Sequence, residues 1–250
     1  MEYLTLGKTG LMISRTALEL IELQQKEEID SYSVLLQSAY ENGINCFAVN
    51  ATHEFTLSAL GETFSKLRPD VRYCIISNAK SSLELHHDIE HALEVLECDF
   101  IDILSIEVSD EVSNLSNLDD LYAAAKKMKE EGKVQHIDLR TASFCCAREA
   151  VISGVYESVS YTFSVSATKQ DEELIMLCDT MEVGFIATHP AGIDNLINIP
   201  LSFGYFNQFE NLIALWTLTT KELLDKVLYF AAHLPINDAK FNDELLAFKT

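Results

Sequence analysis

Basic residues are scarce in this 250-residue chain: 18 Lys and Arg stand against 39 Asp and Glu, a formal net charge of −21. Phosphate backbones and anionic lipid surfaces attract Lys and Arg, so this balance argues against nucleic acid or membrane as partner. It disfavours an anionic cofactor too, unless basic side chains cluster locally; otherwise the surplus serves solubility. Glycine is also short, at 9 residues, about half the usual share. No apolar run approaches the roughly 18 residues of a transmembrane helix. The opening, MEYLTLGKTG, lacks the basic-then-apolar layout of a signal peptide. These absences lead us to expect a soluble, cytoplasmic protein. The six cysteines (Cys46, Cys74, Cys98, Cys145, Cys146 and Cys178) form no C-x-x-C pair and no zinc spacing. All six are expected to be reduced and structural, although Cys145–Cys146 opens an expected helix, where a thiolate could be stabilised.

What the chain does have is apolar content, 48% of residues, arranged as strand and helix signals in alternation. Tyr3–Leu6, the turn GKTG and Leu11–Ile13 read as a hairpin. Strands are expected at Thr16–Leu20, Cys46–Val49, Tyr73–Ser77, Phe100–Ile106 and Ser158–Phe163. Helices are expected at Tyr32–Asn42, Leu83–Leu96, Leu118–Glu131 and Gln170–Met181. Gly43 suits the left-handed position that ends a helix. Short links between alternating strands and helices are the mark of a parallel sheet, and about 250 residues suits one (β/α)8 barrel domain spanning residues 1–250. No internal repeat beyond that period, no low-complexity tract and no linker interrupts it.

The phrase INCFAVNATHEFTLSALG, Ile44 to Gly61, resembles the second β/α unit of the aldo-keto reductases, whose usual text is close to NGINFFDTAxxYGxSExxLGE. Four further phrases resemble the same family: MEYLTLGKTGLMISRTALEL, LECDFIDILSIEVSD, EEGKVQHIDL and VGFIATHPAG. The resemblance implies an α/β fold, a TIM barrel with an N-terminal hairpin closing its bottom. The family usually inserts a long loop and a full helix before strand eight. Here IPLSFGYF follows Gly192 within a few residues. That spacing leads us to expect a shortened region at the seventh helix, strand eight at Leu201–Tyr205, and a helix over QFENLIALW.

The resemblance also implies where chemistry should sit, and those positions are substituted. The catalytic Asp, Tyr, Lys and His of the family fall on Ala48, His53, Asn78 and Glu107. The Tyr donates the proton while Lys and Asp tune it, so three of these changes remove the donor and both tuning groups; general acid–base help is worth about 10²–10⁴-fold. The family's small Gly-Thr beside the cofactor falls near Glu19 and Leu20, and its carboxamide-holding Ser-Asn on Arg140 and Thr141. Its carboxamide Gln falls near Ser160 and its nicotinamide-stacking aromatic near Phe163. Gln208, Glu210 and Asn211 resemble its adenine-contacting QLEEN, but Phe203 to Leu218 holds no Lys or Arg for an adenosine phosphate. Ordinary helix-surface polarity accounts for Glu210 and Asn211 better than adenine contact does.

Two readings follow. In the first, the chain is an aldo-keto-reductase-like pseudoenzyme, a binding or regulatory subunit with no cofactor expected. In the second it is an enzyme. It would be either an NADP(H)-dependent carbonyl reductase with His53 as donor, or a metal- or acid–base-dependent catalyst built from the barrel mouth. The mouth candidates are Glu19, His53, Glu107, Arg140 and His189, scattered in sequence and brought together only by the fold. His87 and His91 share a helix face, and with His86 are expected to be plain helix surface. A missing outer helix would bare apolar surface, so a protein partner or self-association is expected near Gly192–Pro200.

Overall fold

A computed structural model describes residues 1–109, 115–191 and 198–249 of the chain. Its first element is the hairpin: β1 (Tyr3–Thr5) runs antiparallel to β2 (Met12–Ser14), with Tyr3 opposite Ser14. Leu6, Leu11 and Ile13 are buried against the lumen residues and plug the bottom of the barrel. Gly7, at φ +49°, permits this approach: a Cβ there would lie 2.5 Å from Gly184 N and 2.6 Å from Glu182 O. Lys8 N donates to Glu182 O at 2.9 Å, tying the turn to the foot of the barrel.

Strands and helices then alternate as β3 (Thr16–Leu20), α1 (Ile29–Glu41), β4 (Cys46–Asn50), α2 (Glu54–Phe64), β5 (Arg72–Ser77), α3 (Ser82–Val95), β6 (Ile101–Glu107) and α4 (Asp119–Glu130). They continue as β7 (Val134–Thr141), α5 (Phe144–Ser153), β8 (Ser158–Thr162), α6 (Lys169–Thr180), β9 (Gly184–Thr188), α7 (Ile199–Phe206), β10 (Leu212–Leu218) and α8 (Lys221–Ala232), with α9 (Ala239–Lys249) last. The parallel strands close in the order β10-β3-β4-β5-β6-β7-β8-β9, a (β/α)8 barrel. Helix starts carry the expected caps: Ser81, Ser143, Thr168 and Thr220 side chains each accept from a backbone N–H of the first turn. Among the described residues no helix is long and apolar enough to cross a membrane.

Successive side chains of a strand point to opposite faces, and here this builds two cores. The outward faces meet the helices in one continuous apolar layer. The inward faces fill the lumen with small and medium side chains, among them Ala17, Cys46, Ala48, Cys74, Ile76, Ile103, Ile186, Ile213 and Leu215. Burial pushes the Cys46 thiol up to about 12 and the Cys74 thiol well above its ordinary value, so both stay neutral. All six cysteines are free, and Cys145 is exposed. At the start of α5, where the sequence allowed a thiolate, burial instead raises the Cys146 thiol above its ordinary value.

The last quarter of the chain corrects the sequence reading. Leu201–Tyr205 is not strand eight but the middle of α7, and NLIALW is not a helix but most of β10. The seventh helix is present. It was hidden because it has no polar face: every residue of Ile199–Phe206 except Pro200 is buried. A helix apolar on all sides must be covered on all sides, and α9 supplies the outer cover. A Cβ on Gly204 would lie 2.4 Å from the Phe241 ring, so the absent side chain makes room for the aromatic that docks α9. β10 pairs with β3 and β9 (Ala214 opposite Thr16, Leu212 opposite Phe185) and is apolar on both faces, as a strand buried from two sides is.

Candidate functional site

The mouth of a (β/α)8 barrel lies at the C-terminal ends of its strands, and there five strands are linked by one polar chain. Arg140, next to last in β7, points into the lumen. Its Nη2 donates to both oxygens of Glu19 on β3, at 2.8 and 3.1 Å. Its Nε donates to Glu107 Oε1 on β6 at 2.9 Å. Asn78, just after β5, donates from Nδ2 to Glu107 Oε2 at 2.5 Å, and accepts on Oδ1 from Asn50 Nδ2, also at 2.5 Å. Asn50 ends β4, and its Oδ1 accepts from Thr52 N and Oγ1. In the closed order β3 and β7 are four strands apart either way round. The guanidinium therefore crosses the lumen between opposite walls. Ala48 and Cys74, small residues on the strands between, leave the space it occupies.

Arg140 is only 7% exposed. Burial works against its charge, but Glu19 and Glu107 outweigh that and hold it above its ordinary value. It is a cation at any working pH. One layer down on β7 lies Asp138, fully buried, its carboxylate accepting from Ser105 Oγ (2.6 Å), Ser158 Oγ (2.7 Å) and Ser160 Oγ (2.8 Å). Burial raises its pKa above the usual carboxylate value, against the pull of the three hydroxyls and of Arg140. Asn50, Asp138, Ser105 and Ser158 escaped sequence reasoning. The legible signal was the alternation of His136, Asp138 and Arg140 with Ile137 and Leu139, which marks a polar inner face on β7.

The expected residues divide. Glu19, Asn78, Glu107 and Arg140 are joined directly. Ala48 lies beneath them, fully buried in the lumen. His53 sits at the N-cap of α2 with no side-chain cap bond, and its Nδ1 is buried without a partner among the described residues. His189 follows β9 at φ +52°, left-handed backbone that is uncommon outside glycine, and its Nδ1 is likewise buried and unpartnered. Ser160 faces the lumen but is committed to Asp138. Phe163 is 1% exposed and packed by Phe185, Tyr205, Phe206 and Phe209, at ring distances of 5.6 to 5.9 Å. It belongs to the layer beneath α7 and offers no open face for stacking.

Gln208, Glu210 and Asn211 stand at the opposite end of the barrel, in the turn from α7 into the start of β10. Arg15, before β3, binds the Phe206 and Phe209 carbonyls there, and Asn211 bonds Asp179 at the end of α6. They cannot reach the mouth. Of the surface expected near Gly192–Pro200, residues 192–197 lie outside the described residues. Its premise, a missing outer helix, is removed by α7.

Chemically the mouth holds two carboxylates, one permanent cation and two amides, all engaged with one another. Among the described residues no three His, Cys, Asp or Glu side chains could together hold a metal ion, and the guanidinium between Glu19 and Glu107 would repel one. Of the positions that the resemblance links to a nicotinamide dinucleotide, Glu19 is bonded to Arg140, Phe163 is enclosed, and Glu210 and Asn211 lie at the other end of the barrel. His86 and His87 are exposed on α3, and the His87 and His91 rings are stacked at 6.3 Å.

Comparison with known proteins places this barrel. No curated protein sequence matches the chain. Solved structures match at the level of the fold. An aldo-keto reductase from Bacillus halodurans in its holo form has a TM-score of 0.83 and 12% identity, over 100% of this chain and 97% of that one. A thermostable aldo-keto reductase, Tm1743, in complex with the inhibitor epalrestat gives 0.80 and 16%, over 99% and 100%. A Pseudomonas aeruginosa protein described as belonging to the same class, PA4992, gives 0.79 and 17%, over 92% and 94%. The profile of the aldo/keto reductase family matches residues 65–196, more than half of the sequence. With the closed barrel, the plugging hairpin and the phrases that resemble that family, this match settles the lineage: the chain belongs to the aldo/keto reductase family.

Proposed function

We propose that this chain is an aldo-keto reductase relative that does not reduce carbonyls and acts instead as a binding or regulatory subunit. One observation carries the reading: Arg140 spans the lumen and binds Glu19 and Glu107, so the mouth is filled by the protein's own charged side chains. A reductase of this family needs a proton donor whose acidity is tuned by neighbours. At the matching positions stand Ala48, His53, Asn78 and Glu107. Asn78 and Glu107 are spent on the polar chain through Arg140, and Ala48 can neither donate nor tune.

Isothermal calorimetry with NADPH, NADP+ and NADH tests this directly. The expected result is no heat of binding, together with no carbonyl-dependent oxidation of NADPH. Micromolar affinity for NADPH would overturn the reading. The buried Nδ1 of His53, without a partner among the described residues, favours a reductase as the second reading; loss of turnover in His53→Ala would then identify the donor. A subunit also requires something to bind. A protein partner or self-association belongs to this proposal, and a particle mass of one chain by light scattering, with nothing retained from its native extract, would speak against it.

A further inference from the structure

Far from the mouth, a cleft of about 570 Å³ opens at the closed end of the barrel, between the hairpin and the end of α1. Ligand pockets commonly fall between about 300 and 1,000 Å³. Its apolar wall is Tyr3, Met12 and Tyr40; Tyr3 and Met12 are 42% and 45% exposed. Its charged wall is Arg72, Asp70 and Glu41. In a chain with more than two acids per base, Arg72 forms no ion pair among the described residues. Its Nη1 donates to the Pro69 and Val71 carbonyls at 2.8 and 3.3 Å, and its Nε is buried without a partner. Nη2 makes no bond among the described residues. Asp70 has no side-chain partner there either, while Glu41 accepts only from Gln37 Nε2, at 3.1 Å.

We infer that this cleft binds a free α-amino acid with an apolar or aromatic side chain. A guanidinium with uncommitted donors is matched by a carboxylate, which it binds through charge-assisted hydrogen bonds. The carboxylates of Asp70 and Glu41 beside it on the charged wall, which form no ion pair with the guanidinium among the described residues, are matched by an ammonium. Tyr3, Met12 and Tyr40 then cover the apolar body. A zwitterion carries both charges at the spacing of one carbon, and this separates it from a simple anion or amine.

The test is calorimetric titration of the whole chain with L-phenylalanine and L-leucine, and with 3-phenylpropionate and phenethylamine, each of which lacks one charge. Saturable binding of both amino acids is expected, with each single-charge analogue weaker by at least about tenfold. Arg72→Met should weaken phenylalanine by a similar factor. Met12→Trp should abolish binding by filling the cleft, and because Met12 is half exposed the fold should survive this change. No heat with either amino acid, unchanged affinity in both variants, or equal affinity for 3-phenylpropionate would each overturn the inference. None of these outcomes depends on the mouth, so the NADPH titration and this one fail or succeed separately.

Discussion

Replacing Arg140 by Met tests whether the cross-lumen tie governs the barrel mouth. The variant keeps an unbranched apolar stem and removes the guanidinium with its charge, leaving Glu19 and Glu107 without their partner. Breaking a buried ion pair by removing one member costs about 3–5 kcal/mol. The Glu19 and Glu107 side chains are 19% and 32% exposed, so water can rehydrate them in part and the loss should be nearer 2–3 kcal/mol. For a chain of this size that lowers Tm by roughly 5–10 °C, at about 2–4 °C per kcal/mol. The measurement is urea unfolding at neutral pH, with thermal unfolding beside it. The control is the triple variant Glu19→Gln, Glu107→Gln, Arg140→Met, which removes the stranded charges with the tie. It should recover to within about 1 kcal/mol of the wild type, because absent charges need no partner. A loss under about 1 kcal/mol in Arg140→Met would refute the reasoning. So would a triple variant no more stable than the single one.

Glu157, bonded by His136 and Lys129 at 2.9 and 2.6 Å, is held down at about 2. Burial opposes this, but those two side chains and the Ile137 N–H prevail. A depressed carboxyl stabilises the fold above its unfolded value near 4.5 and loses that contribution as pH falls toward 2. Acid unfolding of the wild type should therefore steepen between about pH 4.5 and 2, and Glu157→Gln should flatten this segment while costing roughly 1–3 kcal/mol at pH 7; an unchanged acid profile would contradict the assignment. Gly7→Ala should cost more than about 3 kcal/mol, since its Cβ would meet backbone atoms at 2.5 to 2.9 Å that cannot give way. Gly10→Ala, also left-handed at φ +75° but with open space around it, should cost only about 1–2 kcal/mol; equal losses in denaturant midpoint would show that packing at Gly7 is not the cause. Truncation after His233, which removes α9, should expose the outer side of α7 and make the protein aggregate by light scattering, whereas a stable monomeric truncation would count against the cover assigned to α9.

Element by element, what could be read from the chain follows from how each element is solvated. Helices such as α1, α3 and α4 have one wet face, and their apolar residues recur at helical spacing, so their extents differ from expectation by only a few residues. The strands β3, β4, β5, β6 and β8 were also placed to within a few residues. Two segments failed, and for one reason. Ile199–Phe206 is enclosed by the barrel, α9 and an aromatic cluster, and Leu212–Leu218 is enclosed by the lumen and α7. Neither has a polar side from which a period could be read. Once a helix is apolar all round and a strand is apolar on both faces, their hydrophobic patterns converge.

The site divides in the same way. Residue types along the chain were enough to show a barrel of this family, and the resemblance of its local phrases is what assigns the donor and tuning positions to Ala48, His53 and Asn78. Local text could not show what the substituted residues do together. Glu19 and Arg140 are 121 positions apart, and they meet only because closing eight strands sets β3 opposite β7. Likewise, the family pattern placed Glu210 and Asn211 at the mouth, and the fold carried them to the other end when α7 took the place expected for a strand. Local periodicity and motif spacing determined the architecture, since each records the solvation of a single element. Which charges meet was decided by barrel closure, because only a closed lumen brings opposite walls within reach of one guanidinium.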